Sequence, residues 1–150
     1  MSVSKNVNNE SPLEIYTYVA DYAHIAANAT SSNQVTIANI PAGGAVAFAY
    51  AYESTALVGA SDITLDVGTT SGDPDEFIDG WDADAGTPVC NSGDACVQAA
   101  GTTTFLAGWK PVGIATSATP ILAEWNGTVA SLTAGEVVVV VGIINPGKFA

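Results

Sequence analysis

Arginine does not occur in this chain, and lysine occurs three times, at Lys5, Lys110 and Lys148. Fifteen acidic residues outweigh them, so the net charge is −12. Binding to nucleic acid needs clustered cations to neutralise phosphates. Three scattered lysines do not supply them, and nucleic acid is excluded as a partner. The same balance works against anionic membrane surfaces. Histidine is nearly absent too, with His24 alone, and cysteine is limited to Cys90 and Cys96. A structural zinc site wants four such ligands, which the pair and one histidine do not make. There is no G-x-S-x-G, no phosphate-cradling glycine loop and no serine with a histidine–aspartate set. His24 remains as an isolated candidate base, a role less expected than a packed or surface side chain. Long apolar runs are missing as well. The longest near the front, AVAFAYAY (Ala45–Tyr52), is too short to cross a bilayer. Lys5 leads into NVNNESPLE rather than an apolar segment, so synthesis in the cytoplasm without a Sec-type address is expected.

Charge is scarce overall at 12% of residues, whereas 48% are hydrophobic. That composition suits one folded domain with a real core, not a disordered chain. Residues 1–12 (MSVSKNVNNESP) are polar and aperiodic, and read as a flexible N-terminal arm ending at Pro12. Residues 13–150 read as the folded domain. LEIYTYVA (Leu13–Ala20) and QVTIANI (Gln34–Ile40) have strand composition. DITLDV (Asp62–Val67) alternates cleanly, with Ile63, Leu65 and Val67 on one face. PILAEWNG (Pro120–Gly127) is a further short apolar run bounded by turn residues. In EVVVVVGII (Glu136–Ile144) five consecutive valines require cover on both faces, which predicts a central strand. Short runs at roughly ten-residue intervals, separated by Gly, Pro, Ser and Asn, predict an all-β fold. The expected architecture is a jelly-roll-like β-sandwich of about eight strands with one short helical turn.

Within AVAFAYAY, alanine holds positions 45, 47, 49 and 51, and Val46, Phe48, Tyr50 and Tyr52 stand between them. The large face is expected in the core. The small face, Ala45, Ala47, Ala49 and Ala51, is then the candidate for a close subunit contact.

Six of the fifteen acids fall between Asp73 and Asp84 in DPDEFIDGWDAD. The calcium-loop pattern fails here, because Phe77 and Ile78 stand where an acid and a glycine are required. A looser oxygen cage from Asp79, Asp82 and Asp84 is the remaining metal candidate. Paired glycosidase carboxylates need a cleft between them, which one loop does not establish. The reading that uses every residue is a structural one. Asp73 caps and Pro74 starts a single helical turn, Phe77, Ile78 and Trp81 dip to the core, and the acids stay in water. The spacing of CNSGDAC allows either a local disulfide between Cys90 and Cys96 or two reduced thiols.

Three stretches together resemble a family of small phage virion proteins. IPAGGAV (Ile40–Val46) is similar to an "LPAGAVV" start. The stretch from Ile63 to Phe77 is similar to an "LTVGDSGDADRF" middle. TAGEVVVVVGII (Thr133–Ile144) is similar to a "TAGKVRVVVEY" end. Glu76 stands where the pattern carries a basic residue before the phenylalanine, and CNSGDAC lies outside the pattern. The resemblance implies a head decoration, or cement, protein without enzymatic activity or cofactor. Such a protein is typically a homotrimeric β-sandwich that binds the major capsid protein on the outside of the head. The alternatives from other classes are a fibre-associated receptor-binding module and a carbohydrate-binding sandwich, both of which would use exposed Trp or Tyr.

Overall fold

The computed structural model describes residues 1–7, 12–28, 34–69, 73–86, 89–90, 94–95 and 115–149. Among the described residues ten strands form two sheets: β1 (Ser2–Val7), β2 (Leu13–Asp21), β3 (Gln34–Ile40), β4 (Ala45–Val58), β5 (Thr64–Thr69), β6 (Asp73–Asp82), β7 (Val89–Cys90), β8 (Asp94–Ala95), β9 (Thr119–Asn126) and β10 (Ala134–Ile144). One sheet runs β1-β2-β10-β4-β7-β8 and the other β3-β9-β5-β6. Two of the first sheet's members, β7 and β8, are only two residues long. Each sheet therefore has four substantial strands. All pairings are antiparallel. The orders β2-β10-β4-β7 and β3-β9-β5-β6, with the chain crossing repeatedly between sheets, make a jelly roll. The sandwich foreseen from the spacing of apolar runs is the observed fold.

The core lies between the sheets. Val137, Val139, Val141 and Ile143 of β10 point into it, and Leu65, Val67 and Trp125 meet them from the other sheet's side. β10 is central, between β2 and β4, which accounts for its run of valines. Val138 and Val140 point the other way and are also nearly covered.

Val46 is buried in the core as expected, but from Phe48 onward the two faces of β4 are inverted relative to the expectation. Ala49 and Ala51 are 1% and 0% exposed and belong to the core. Phe48, Tyr50 and Tyr52 point outward, half-buried, with successive ring centroids 6.2 Å apart. The cause is a register shift: Ile143 stands opposite Val46, but Gly142 opposite Phe48. One extra residue, Ala47, is accommodated there, and a bulge of one residue exchanges inward and outward positions. Val46 is buried on one side of the bulge, and Ala49 and Ala51 on the other. A subunit contact through Ala49 and Ala51 is thereby corrected, because their surface is spent inside their own chain. Across from the bulge, Phe48 lies over Gly142, where an added Cβ would run into its ring.

DPDEFIDGW is not a helical turn but strand β6, paired with β5. The pairing has two irregularities, between Leu65 and Val67 and between Val67 and Thr69. They let the neighbours Phe77 and Ile78 both be buried, which a regular strand forbids. Gly80, with φ +56°, takes the left-handed conformation inside the first of them. A single helical turn is marginal alone, and ladder hydrogen bonds with burial of Phe77, Ile78 and Trp81 outweigh it. The one α-helix described is elsewhere, at Tyr22–Ala27 (α1), where Asp21 caps by accepting from the His24 amide at 2.8 Å. Ser2–Val7, expected as part of a flexible arm, form the edge strand β1 against β2. Two further apolar runs expected as part of the sandwich, VQAAGTTTFLAG (97–108) and WKPVGIAT (109–116), lie outside the described residues except for Ala115 and Thr116.

Candidate functional site

Asp82 and Asp84, two of the three candidate metal ligands, are committed to backbone amides. Asp82 accepts from Ala85 N at 3.1 Å and so caps the 3-10 turn Ala83–Ala85. Asp84 accepts from Ile63 N at 2.8 Å, fastening that turn to the start of β5. Asp79 is exposed on β6. Among the described residues no group of three His, Cys, Asp or Glu is placed to hold a metal ion. Cys96 lies outside the described residues, and of Cys90 only its place in β7, opposite Tyr50, is described.

Asp66 was not singled out by sequence reasoning, yet it organises the outer face of the β3-β9-β5-β6 sheet. It accepts from Gly80 N and from the Asn126 side-chain amide, the latter at 2.9 Å. Glu124 stands directly opposite it on β9 and itself accepts from Gln34 at 2.6 Å. Partial burial raises the Asp66 carboxyl above its usual range. The Gly80 amide opposes this, and Glu124, Asp75 and Asp79 add repulsion. A carboxyl whose folded-state pKa is raised contributes stability below its ordinary value, and that contribution is lost as pH rises through the folded value. Asp66→Asn is therefore expected to stabilise slightly at pH 7, by about 0.5 kcal/mol or less given solvent screening. At pH 3 it is expected to change nothing. Urea melts at the two pH values check this, and a loss of stability at pH 7 would contradict it.

The opposite face of the sandwich has another character. On the outer side of β2-β10-β4, the Phe48–Tyr52 ladder flanks Val138 and Val140, with Ile144 at one end, 43% exposed. The ladder rings are stacked on one another, at 23° and 18° between planes, so their flat faces are largely occupied. Trp81 and Trp125 are buried, and Trp109 lies outside the described residues. A sugar platform needs open ring faces, which these residues do not offer.

A third constellation joins the two ends of the domain. Glu14, 3% exposed, sits on the inward side of β2. Its carboxylate accepts from Tyr16 Oη at 3.1 Å and Asn145 Nδ2 at 3.2 Å, and pairs with Lys148 Nζ at 3.3 Å. The Asn145 amide donates to Pro12 O at 2.7 Å beside it. A signal existed in LEIYTYVA: Glu14 shares the two-residue period of Tyr16, Tyr18 and Ala20, so it had to face the core with a partner.

His24 is half-buried, edge-on to Tyr18 at 5.9 Å, with its Nε2 3.2 Å from the Asn28 amide nitrogen. Burial and the positive chain terminus lower its pKa against the pull of Asp21, so the ring is neutral near pH 7. The arrangement is that of a ring packed against Tyr18 beside the helix cap.

No family model matches the sequence, and no curated protein matches it. Solved structures do. The chain is similar to one in the acidic stable capsid of Helicobacter pylori bacteriophage KHP30, with a TM-score of 0.59 and 13% identity. The match covers 97% of this chain and 93% of that one. A chain in the capsid asymmetric unit of cyanophage Pam1 matches at a TM-score of 0.51 and 15% identity, over 89% and 85%. What these chains share with this one is the fold. It is a fold that phage capsids contain, in chains of nearly the same length.

Proposed function

We propose that this chain is a structural protein of a phage virion, and within the virion a decoration protein. It binds the outside of the head as a homotrimer, contacts the major capsid protein and braces the shell against the pressure of packaged DNA. The observation that carries the reading is the match over almost the whole length of both chains to a capsid component. A partner in a capsid that is itself one small sandwich suits an added brace. The sequence resemblance over Ile40–Val46, Ile63–Phe77 and Thr133–Ile144 agrees with it. So does a chain with no arginine and a charge of −12, which the viral genome would repel. The role is binding alone, without catalysis. The burial of Trp81 and Trp125 and the stacking of Phe48, Tyr50 and Tyr52 on one another disfavour these residues as the platform of the carbohydrate-binding alternative.

Residues 1–12 are the part of the chain proposed to reach neighbouring capsid subunits. Among the described residues β1 is the outermost strand of its sheet, and an edge of this kind can accept a strand from a neighbour. Removing residues 1–12 is expected to lower the number of copies held per head, as counted by quantitative gel densitometry. Unchanged occupancy would remove the arm from the account. The function itself is tested on heads lacking the chain, to which purified protein is returned. Addition is expected to raise the temperature at which the heads release DNA. An unchanged release temperature at full occupancy would contradict a bracing role.

A further inference from the structure

The sandwich is electrically two-sided. The outer face of β3-β9-β5-β6 carries Asp66 and Glu124 side by side, with Asp79 close enough to add repulsion. In β2, β10 and β4 of the other sheet the outward positions carry no Asp, Glu, Lys, Arg or His from Ile15 to Val19, from Val138 to Ile144, or from Phe48 to Tyr52. Charge returns at one end, where Asp21 and Glu136 stand opposite each other, and two strands beyond β4, where Asp94 of β8 continues the row of Tyr50 and Cys90. In a chain of charge −12, this neutral band is an exception that needs a cause.

We infer that the outer face of β2-β10-β4, centred on the half-buried rings of Tyr50 and Tyr52, is the contact between copies of this chain. The argument is one of charge. A second copy brings the same −12, and like charges brought together across an interface cost several kcal/mol. Copies are therefore driven apart wherever acids face each other, and this face lets them meet without that cost. Its chemistry fits: tyrosine and phenylalanine are enriched at the centres of protein interfaces, and lysine, glutamate and aspartate are depleted there. Ile144, 43% exposed, extends the apolar surface that association would cover. The contact expected at Ala49 and Ala51 thus moves to the other side of the same strand, the side on which Ala45 stands opposite Ile144. The reading rests on the proposed homotrimer only for the number of copies. Three faces turned toward one axis give a trimer, and one face meeting itself about a two-fold axis gives a dimer.

The test is sedimentation velocity of the full chain at low and high salt. The wild type is expected to sediment as an oligomer, more strongly associated at high salt because repulsion is screened. Tyr50→Glu puts a charge in the centre of the face and is expected to sediment as a monomer. Thr36→Glu, on the exposed side of β3, is expected to associate like the wild type. A monomeric wild type, or a Tyr50→Glu chain that stays assembled, would overturn the inference. If Tyr50→Glu does not fold, hydroxyl-radical footprinting of the wild type decides. Tyr50 and Tyr52 should be protected in concentrated solution and labelled on dilution, with the 40%-exposed Tyr22 constant in both. Equal labelling of Tyr50 and Tyr52 throughout would sink the idea. A monomer that still binds heads would overturn this contact and leave the decoration role standing. An oligomer that ignores heads would do the reverse.

Discussion

Trp125→Ala is expected to remove about 3–5 kcal/mol of stability, the usual cost of truncating a large buried aromatic side chain. Trp125 is the largest fully buried side chain, at 0% exposure, on β9 between β3 and β5. Its loss leaves a cavity that two hydrogen-bonded sheets cannot collapse around. It also strips Tyr18 of the indole donor that reaches its hydroxyl at 3.4 Å. That phenol is buried deeply enough for its pKa to be pushed up to about 12. A domain of this size has roughly 5–15 kcal/mol in total, so the variant would be marginal. Urea denaturation should show a lower midpoint with an unchanged slope, which reports lost stability rather than altered compactness. Trp125→Phe keeps most of the apolar area and should lose clearly less. A loss below about 1 kcal/mol for Trp125→Ala would mean that the indole is not enclosed as described.

Glu14→Ala is the second large effect, expected to cost about 3–5 kcal/mol, as breaking a buried ion pair does. The ammonium nitrogen of Lys148 is out of contact with solvent, and Glu14 is its ion-pair partner. Removing the carboxylate leaves a buried charge uncompensated and takes an acceptor from Tyr16 and Asn145. Because the Asn145–Pro12 hydrogen bond lies beside it, the loss should spread to both chain ends. Hydrogen exchange at the amides of residues 13, 14, 145, 147 and 148 should quicken more than at β9. The double change Glu14→Leu with Lys148→Met removes both charges and should recover most of the stability. If the double variant is as unstable as Glu14→Ala, the packing of this corner matters and the ion pair does not.

Much of the sandwich is readable in the sequence, and the failures have identifiable causes. QVTIANI coincides with β3, and the valine run with the buried central strand β10. These are runs whose composition admits one answer. β4 has an equally clear alternation, but alternation says only that two faces differ. Which one points inward was settled by the bulge opposite Gly142, a property of the pairing with β10. Phe77, Ile78 and Trp81 are spaced so that either a helical turn or an irregular strand buries them, and the partner β5 decided between the two. The acids were visible as a cluster, whereas the roles of Asp84 and Asp82 depend on where the amides of Ile63 and Ala85 come to lie. Glu14 and Lys148 meet from opposite ends of the chain, a pairing that local pattern does not carry.

The central claim, that this sandwich is a decoration protein, is tested most directly by mixing the purified full chain with phage heads stripped of it and sedimenting the mixture over a range of concentrations. Saturable co-sedimentation at a fixed number of copies per head is the predicted result. A folded chain that stays in the supernatant at every concentration would contradict it.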